Sequence, residues 1–178
     1  MEGKRNPDQA IALILERKSV RSFTGEAVAR ADLETLMKAG MAAPSARNRQ
    51  PWEFVAVTDR PTLDLLADGL PYAKMLYQAG AAIVVCAVVE KAHDRLPEYA
   101  VIDTCAATEN ILLAAEALGL GAVWTALYPR TERMEYARRV LRIPDSVLPL
   151  CAIPIGCPTG EDRPKDKFRR ENIHWETW

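Results

Sequence analysis

Apolar positions recur along the chain with two different periods, and the switches between them lay out its elements. Ile11, Ile14 and Leu15 recur at helical spacing up to Arg17. They follow Asn6-Pro7-Asp8, which places a capping side chain, a first-turn proline and an acid in the order that opens a helix. Residues 31–41 repeat the helical period with Leu33, Leu36, Met37 and Met41 on one face, and Pro44 ends the segment. Residues 53–57 read as a strand, 59–67 as a short helix restarted at Asp59-Arg60-Pro61, and 72–76 as a further helical piece carrying Lys74. Residues 81–89 are apolar throughout and rich in valine, the pattern of a central strand buried on both faces. Residues 104–118 form the most hydrophobic helix. Its apolar positions wrap much of the circumference, so it is expected to be buried nearly all round, in a core or a subunit interface. Gly119-Leu120-Gly121 stops it. A strand over 122–128, an amphipathic helix over 132–141 and a strand over 149–156 follow, and Pro154 in the last suggests an edge, an end or a bulge.

The tail, 158–178, is charged and aperiodic, yet it carries Phe168, Ile173, Trp175 and Trp178. A disordered tail has no use for so many large apolar groups, so this arm is expected to pack, a partner subunit being one available surface. At 178 residues, 49% hydrophobic and 26% charged, the chain fits a single globular domain. A net charge of −1 provides no field to gather nucleic acid. The longest apolar stretch, 79–89, is too short to span a bilayer. The four cysteines form no C-x-x-C pair and no secretory signal precedes them, which points to buried free thiols in a reducing cytoplasm. His93 and His174 stand far apart without ligand spacing, arguing against a zinc site.

Candidate chemistry concentrates in three places. Arg17-Lys18-Ser19-Val20-Arg21-Ser22-Phe23 sets three cations and two hydroxyls within seven residues, a supply of charge and donors suited to a phosphate. In an extended chain Arg17, Ser19 and Arg21 share one side. The loop Pro44-Ser45-Ala46-Arg47-Asn48-Arg49-Gln50-Pro51 mixes amide and hydroxyl side chains between two backbone-restricting prolines, a combination able to read the edges of a ligand. Lys165-Asp166-Lys167 adds a cation pair beyond the last strand. Neither G-x-G-x-x-G nor a P-loop is present, and no G-x-S-x-G elbow either.

Taken in order, the basic run, the segment Ala-Pro-Ser-Ala-Arg-Asn-Arg-Gln-Pro-Trp, the alanine-rich helix ending Leu118-Gly119-Leu120-Gly121, the turn Ile155-Gly156-Cys157-Pro158 and the closing Ile173-His174-Trp175 resemble the FMN-dependent nitroreductase family over essentially the whole chain. The resemblance implies an α+β fold, a mostly antiparallel central sheet flanked by helices, in an intertwined homodimer with residues 158–178 as an arm on the partner. It implies FMN as cofactor, NADH or NADPH as donor, and hydride transfer through flavin N5 to a small organic acceptor by a ping-pong mechanism, with no catalytic side chain required. Arg17 and Ser19, with Lys18 between them, match the pair that holds phosphate and ribityl chain. Arg21 matches the cation at the N1/O2 edge, and Lys74 resembles a second lysine there. Pro44, Ser45, Asn48 and Gln50 match the loop that crosses from the other subunit. Lys165 and Lys167 match the C-terminal phosphate-binding cations. Trp124, Thr125, Ala126 and Leu127 match the backbone against the isoalloxazine, with the amides of Ala126 and Leu127 as expected donors to N5. Three positions depart from the pattern: Lys18 and Lys167 where arginine is common, and Leu127 where glycine is frequent, which is expected to narrow the space over the flavin. The short connection after 81–89 implies a small substrate lid. A flavin-storing or flavin-sensing protein, and a dehydrogenase-like or dehalogenase-like specialist, stand as alternatives.

Overall fold

The computed structural model describes residues 7–178; Asn6, expected as the first helix cap, lies outside them. Five helices run over Pro7–Glu16 (α1), Arg30–Met41 (α2), Arg60–Gly69 (α3), Pro97–Ala117 (α4) and Thr131–Leu141 (α5). The strands are Trp52–Val57 (β1), Ala81–Val88 (β2), Gly121–Ala122 (β3), Thr125–Ala126 (β4) and Val147–Gly156 (β5). All pairings are antiparallel, in the order β1-β2-β5-β3, with β4 also on β5.

Strand β2 shows why the sheet is sandwiched. Successive side chains of a strand point to opposite faces, so both faces of β2 are apolar because both are covered. Ala82, Val84 and Cys86 join one core with Leu63 and Leu66 of α3 and Met134 and Ala137 of α5. Ala81, Ile83 and Val85 join the other with Leu33 and Leu36 of α2 and Ile111, Leu112 and Ala115 of α4. The expected α+β architecture, an antiparallel sheet between helices, is the one observed. The side chain of Asp59 accepts from the amide of Thr62 at 3.0 Å and caps α3, with Pro61 in the first turn.

Three expectations need correction. Helix α4 begins at Pro97, a turn and more before 104, because Pro97 and Glu98 supply a first turn that apolar content does not reveal. Its 104–116 portion holds no exposed residue, as expected of a helix covered nearly all round, while Ile102 ahead of that portion is exposed. Strand 122–128 is two short pieces, and Pro154 lies in a central strand, not at an edge. These last two findings have one cause. Ala122 pairs with Ile155 and Thr125 with Ala152 in the same register, which puts Val123 opposite Pro154. Proline has no N–H to donate, so the ladder breaks there and leaves Val123 and Trp124 unladdered.

Of the four free thiols, Cys86 and Cys151 are buried and Cys105 and Cys157 are half-buried. Burial pushes the Cys86 thiol up to about 12 and raises that of Cys151 as well, which keeps both protonated and inert. No described helix is long and apolar enough to cross a membrane.

Candidate active site

The basic run leaves α1 and is fixed by backbone hydrogen bonds at two points. The amide of Val20 donates to Ala122 of β3 at 3.0 Å. Farther on, Thr24 donates to Cys157 and Thr159 to Ser22, both at 3.0 Å, so residues 22–24 run antiparallel to 157–159. This pairing carries the C-terminal segment back across the basic run. The carboxylate of Asp162 then accepts from the amides of Arg21 at 2.9 Å and Ser22 at 3.3 Å, a clasp closed by side chain on backbone.

Between the two segments lies a cavity of about 510 Å³ lined by Arg17, Lys18, Ser19, Arg21, Glu161, Asp162, Arg163, Pro164, Lys165 and Lys167. Six cationic side chains face two acidic ones, a balance that suits an anion. Two of the cations are already held by acids of α4: Arg17 Nε lies 3.1 Å from Glu109, and Lys18 Nζ 2.6 Å from Glu116. Glu109 and Glu116 are seven residues apart and therefore share a helix face. Lys165 and Lys167 make no ion pair among the described residues, which leaves their charge available.

Arg21 also lines a second cavity of about 240 Å³, together with Pro71, Tyr72, Val123, Trp124, Thr125, Ala126 and Arg133. The backbone interruption caused by Pro154 thus forms one wall of it. Arg21 lines both cavities, and so stands between a cationic surface and one walled by backbone and aromatic groups. The carbonyl of Ala126 accepts from Arg133, and since alternate residues of a strand turn their polar groups to opposite sides, Ala126 turns these away from β5, to which Leu127 donates.

Several expected residues sit elsewhere. Leu127 lines neither cavity; its amide donates to Leu150 at 3.0 Å and its side chain, 1% exposed, enters the core with Leu63 and Leu66. It is therefore unavailable as a donor to a ligand and does not narrow either cavity. Lys74 turns to the C-terminal end of α3, donating to Ala67 at 2.8 Å and Asp68 at 3.3 Å. Carbonyls left over at a helix end attract such a cation. Pro44, Ser45, Asn48 and Gln50 line neither cavity of their own chain. Their loop is tightly tied: Gln50 donates from its amide to Ser45 Oγ and from Nε2 to Asn48 Oδ1, both at 3.0 Å. Arg47, Asn48 and Gln50 hold positive φ of 53°, 56° and 51°.

Asp103, on the buried side of α4 and only 6% exposed, anchors that loop. Both carboxylate oxygens lie 3.1 Å from the amide of Ala46. Asp103→Ala should strand that N–H and loosen residues 45–50, with amide exchange across the loop accelerating about tenfold or more, whereas Asp103→Asn should retain most protection. Unchanged exchange in the alanine variant would mean that the prolines alone hold the loop. Asp103, Asp162, Tyr72 and Arg133 escaped the sequence reading. Of the acids of α4, Glu109 and Glu116 left a signal, as charges embedded in the hydrophobic 104–118 segment.

The family model described as Nitroreductase family matches residues 14–70 and 60–157. A relative from Archaeoglobus fulgidus, named as a candidate NADH dehydrogenase/NAD(P)H nitroreductase, is 39% identical over 96% of this chain and 99% of its own. A solved structure of a like-named protein from Parabacteroides distasonis is 46% identical and superposes with a TM-score of 0.91, covering 98% of this chain and 100% of that one. A candidate nitroreductase from Desulfovibrio desulfuricans, solved in complex with FMN, is 29% identical with a TM-score of 0.81 over 98% of this chain and 99% of its own. The chain belongs to the nitroreductase family.

Proposed function

We propose that this protein is an FMN-dependent oxidoreductase that carries electrons from NADH or NADPH to a small organic acceptor such as a nitroaromatic or a quinone. One observation supports this reading above the others: Arg21 lines both the cationic cavity and the cavity beside residues 123–126. A phosphorylated cofactor with a planar ring fits that sequence of surroundings, and the similar protein solved with FMN makes the ring a flavin. When bound, FMN supplies the acceptance and delivery of two electrons.

In this arrangement Arg17, Lys165 and Lys167 neutralise the phosphate, with Ser19 as a neutral donor beside them. Lys18, committed to Glu116, shapes the pocket more than it binds. Arg21 holds positive charge beside the ring edge that gains electron density on reduction, which favours the reduced state. Ala126 presents an amide to the ring. Trp124 and Thr125 shape the wall, and Lys74 serves the end of α3.

The working unit is a homodimer. The exposed Ile102 of α4, Ile11, Ile14 and Leu15 of α1, and Phe168, Ile173, Trp175 and Trp178 of the arm leave more apolar surface than a monomer tolerates. In the dimer the arm lies on the partner, and the Pro44–Gln50 loop, remote from its own chain's cavities, serves the partner's cavities. Localisation in the cytoplasm accords with the free thiols.

The test is the visible spectrum of the purified protein, followed by acid release of chromophore and steady-state kinetics with NADH, NADPH and menadione. Flavin bands, about one FMN per chain and parallel double-reciprocal lines are expected. A protein that neither carries nor takes up FMN would end this reading. Intersecting lines would replace the shared-site mechanism with a ternary complex.

A further inference from the structure

The lining of the second cavity includes two residues, Tyr72 and Arg133, with no assigned part in holding FMN. Tyr72 is 79% exposed and adopts a positive φ of 63°, a backbone conformation unfavourable to a bulky side chain. It is nevertheless placed against Arg133 of α5, whose guanidinium lies 5.8 Å from the Tyr72 ring centroid. Arg133 Nη1 donates to the carbonyl of Ala126 at 3.1 Å. One nitrogen is thus spent on fixing the side chain, and no ion pair is made by Arg133 among the described residues. The cavity is lined by two guanidiniums, Arg21 and Arg133, and by no carboxylate. The Asp162 carboxylate, which receives the backbone amide of Arg21, lies in the neighbouring cavity.

Resting on the flavoenzyme reading above, we propose that Arg133 and Tyr72 form an acceptor-recognition site selective for planar aromatic compounds that carry an anionic substituent, such as a carboxylate. The Tyr72 ring supplies a flat apolar platform in this cavity, and the free edge of the Arg133 guanidinium supplies two N–H donors in the geometry a carboxylate accepts. Arg21 is occupied at the flavin edge, so Arg133 is the cation that discriminates among acceptors. The hydrogen bond to Ala126 ties this cation to the strand whose amide faces the cofactor, fixing the distance between the recognised anion and the ring. A neutral acceptor of the same shape keeps the stacking surface and forfeits the charge-assisted contact.

The experiment compares 4-nitrobenzoate with its uncharged isostere 4-nitrobenzamide, using the FMN-loaded protein, NADH and menadione as a neutral reference acceptor. The wild type is expected to prefer the carboxylate by about tenfold or more in kcat/KM, mainly through KM. Raised salt should shrink the preference. Arg133→Gln should bring the ratio near one while turnover of menadione stays within about threefold, and Arg133→Lys should restore part of it. Perturbation of the flavin spectrum by each compound gives the same ratio as a binding measurement, independent of turnover. Equal handling of the two nitro compounds by the wild type, or a preference unchanged in Arg133→Gln, overturns the proposal. Full menadione turnover alongside either result leaves the oxidoreductase reading standing; failure to bind FMN removes both.

Discussion

Arg17→Ala is expected to lose FMN. The side chain is only 17% exposed, lines the cationic cavity and sits 3.1 Å from Glu109. Its removal deletes a charge-assisted contact to the phosphate, on the order of 1.5–3 kcal/mol. It also leaves the Glu109 carboxylate unpaired beside an anion, and that repulsion adds to the loss. The dissociation constant should rise about 10- to 100-fold or more, read by titrating apoprotein with FMN and following flavin fluorescence. The same geometry predicts the opposite sign for Glu109→Gln, because Arg17 is then no longer shared and FMN should bind more tightly. Arg21→Ala should behave differently from both. Arg21 lines both the cationic cavity and the one beside residues 123–126, so its loss should lower the flavin's reduction potential more than its affinity. If Arg17→Ala holds FMN like the wild type while Arg21→Ala releases it, the roles assigned to the two arginines are interchanged.

The contrast between these arginines also marks how far the site was legible in the sequence. Local density of charge made the basic run visible, and its order relative to the 44–50 loop and the lysine pair carried the family resemblance. What linear reading could not give was partnership. Glu109, Glu116 and Asp162 lie about 90 to 140 positions from the groups they hold, and only the pairing of 22–24 with 157–159 brings Asp162 to Arg21. Lys74 illustrates the converse. The family resemblance set it at the flavin edge, whereas here its ammonium is held by the carbonyls at the end of α3. The fold was legible where periodicity is strong, as in β2 and the inner faces of α2 and α5. It was misread where one residue acts on a neighbouring strand: Pro154 could be recognised as a disruption, but that it breaks the ladder at Val123 depends on a register absent from either segment alone.

Gly80→Ala should be among the most damaging single substitutions in this chain, although Gly80 carries no chemistry. A Cβ built at that position would lie 2.1 Å from the carbonyl oxygen of Glu26 and 3.0 Å from Val28 Cγ2. The first of these is backbone, so no rotamer change can relieve it. The basic run and the segment following it cross the end of the sheet here, over glycines at more than one point: Cβ atoms at Gly121 and Gly156 would meet Val20 and Phe23 at 2.5 Å and 3.0 Å. The same crossing sets the position of Arg21, three residues after Lys18 and directly before the 22–24 pairing. Overpacking of this kind costs about 3 kcal/mol. In a domain of this size that corresponds to a fall in Tm of about 6–12 °C, measured by circular dichroism on the apoprotein so that cofactor binding does not mask it. FMN affinity should fall with it, since the segment must move away from Ala122 and the tail to make room. Gly25→Ala supplies the control. Gly25 has a positive φ of 87° but nothing within 4 Å of its Cβ, so its cost is conformational alone, about 1–2 kcal/mol. A Gly80→Ala protein as stable as Gly25→Ala would mean that the crossing segment yields without resistance, and that the close approach of backbones at the end of the sheet does not hold Arg21 in place.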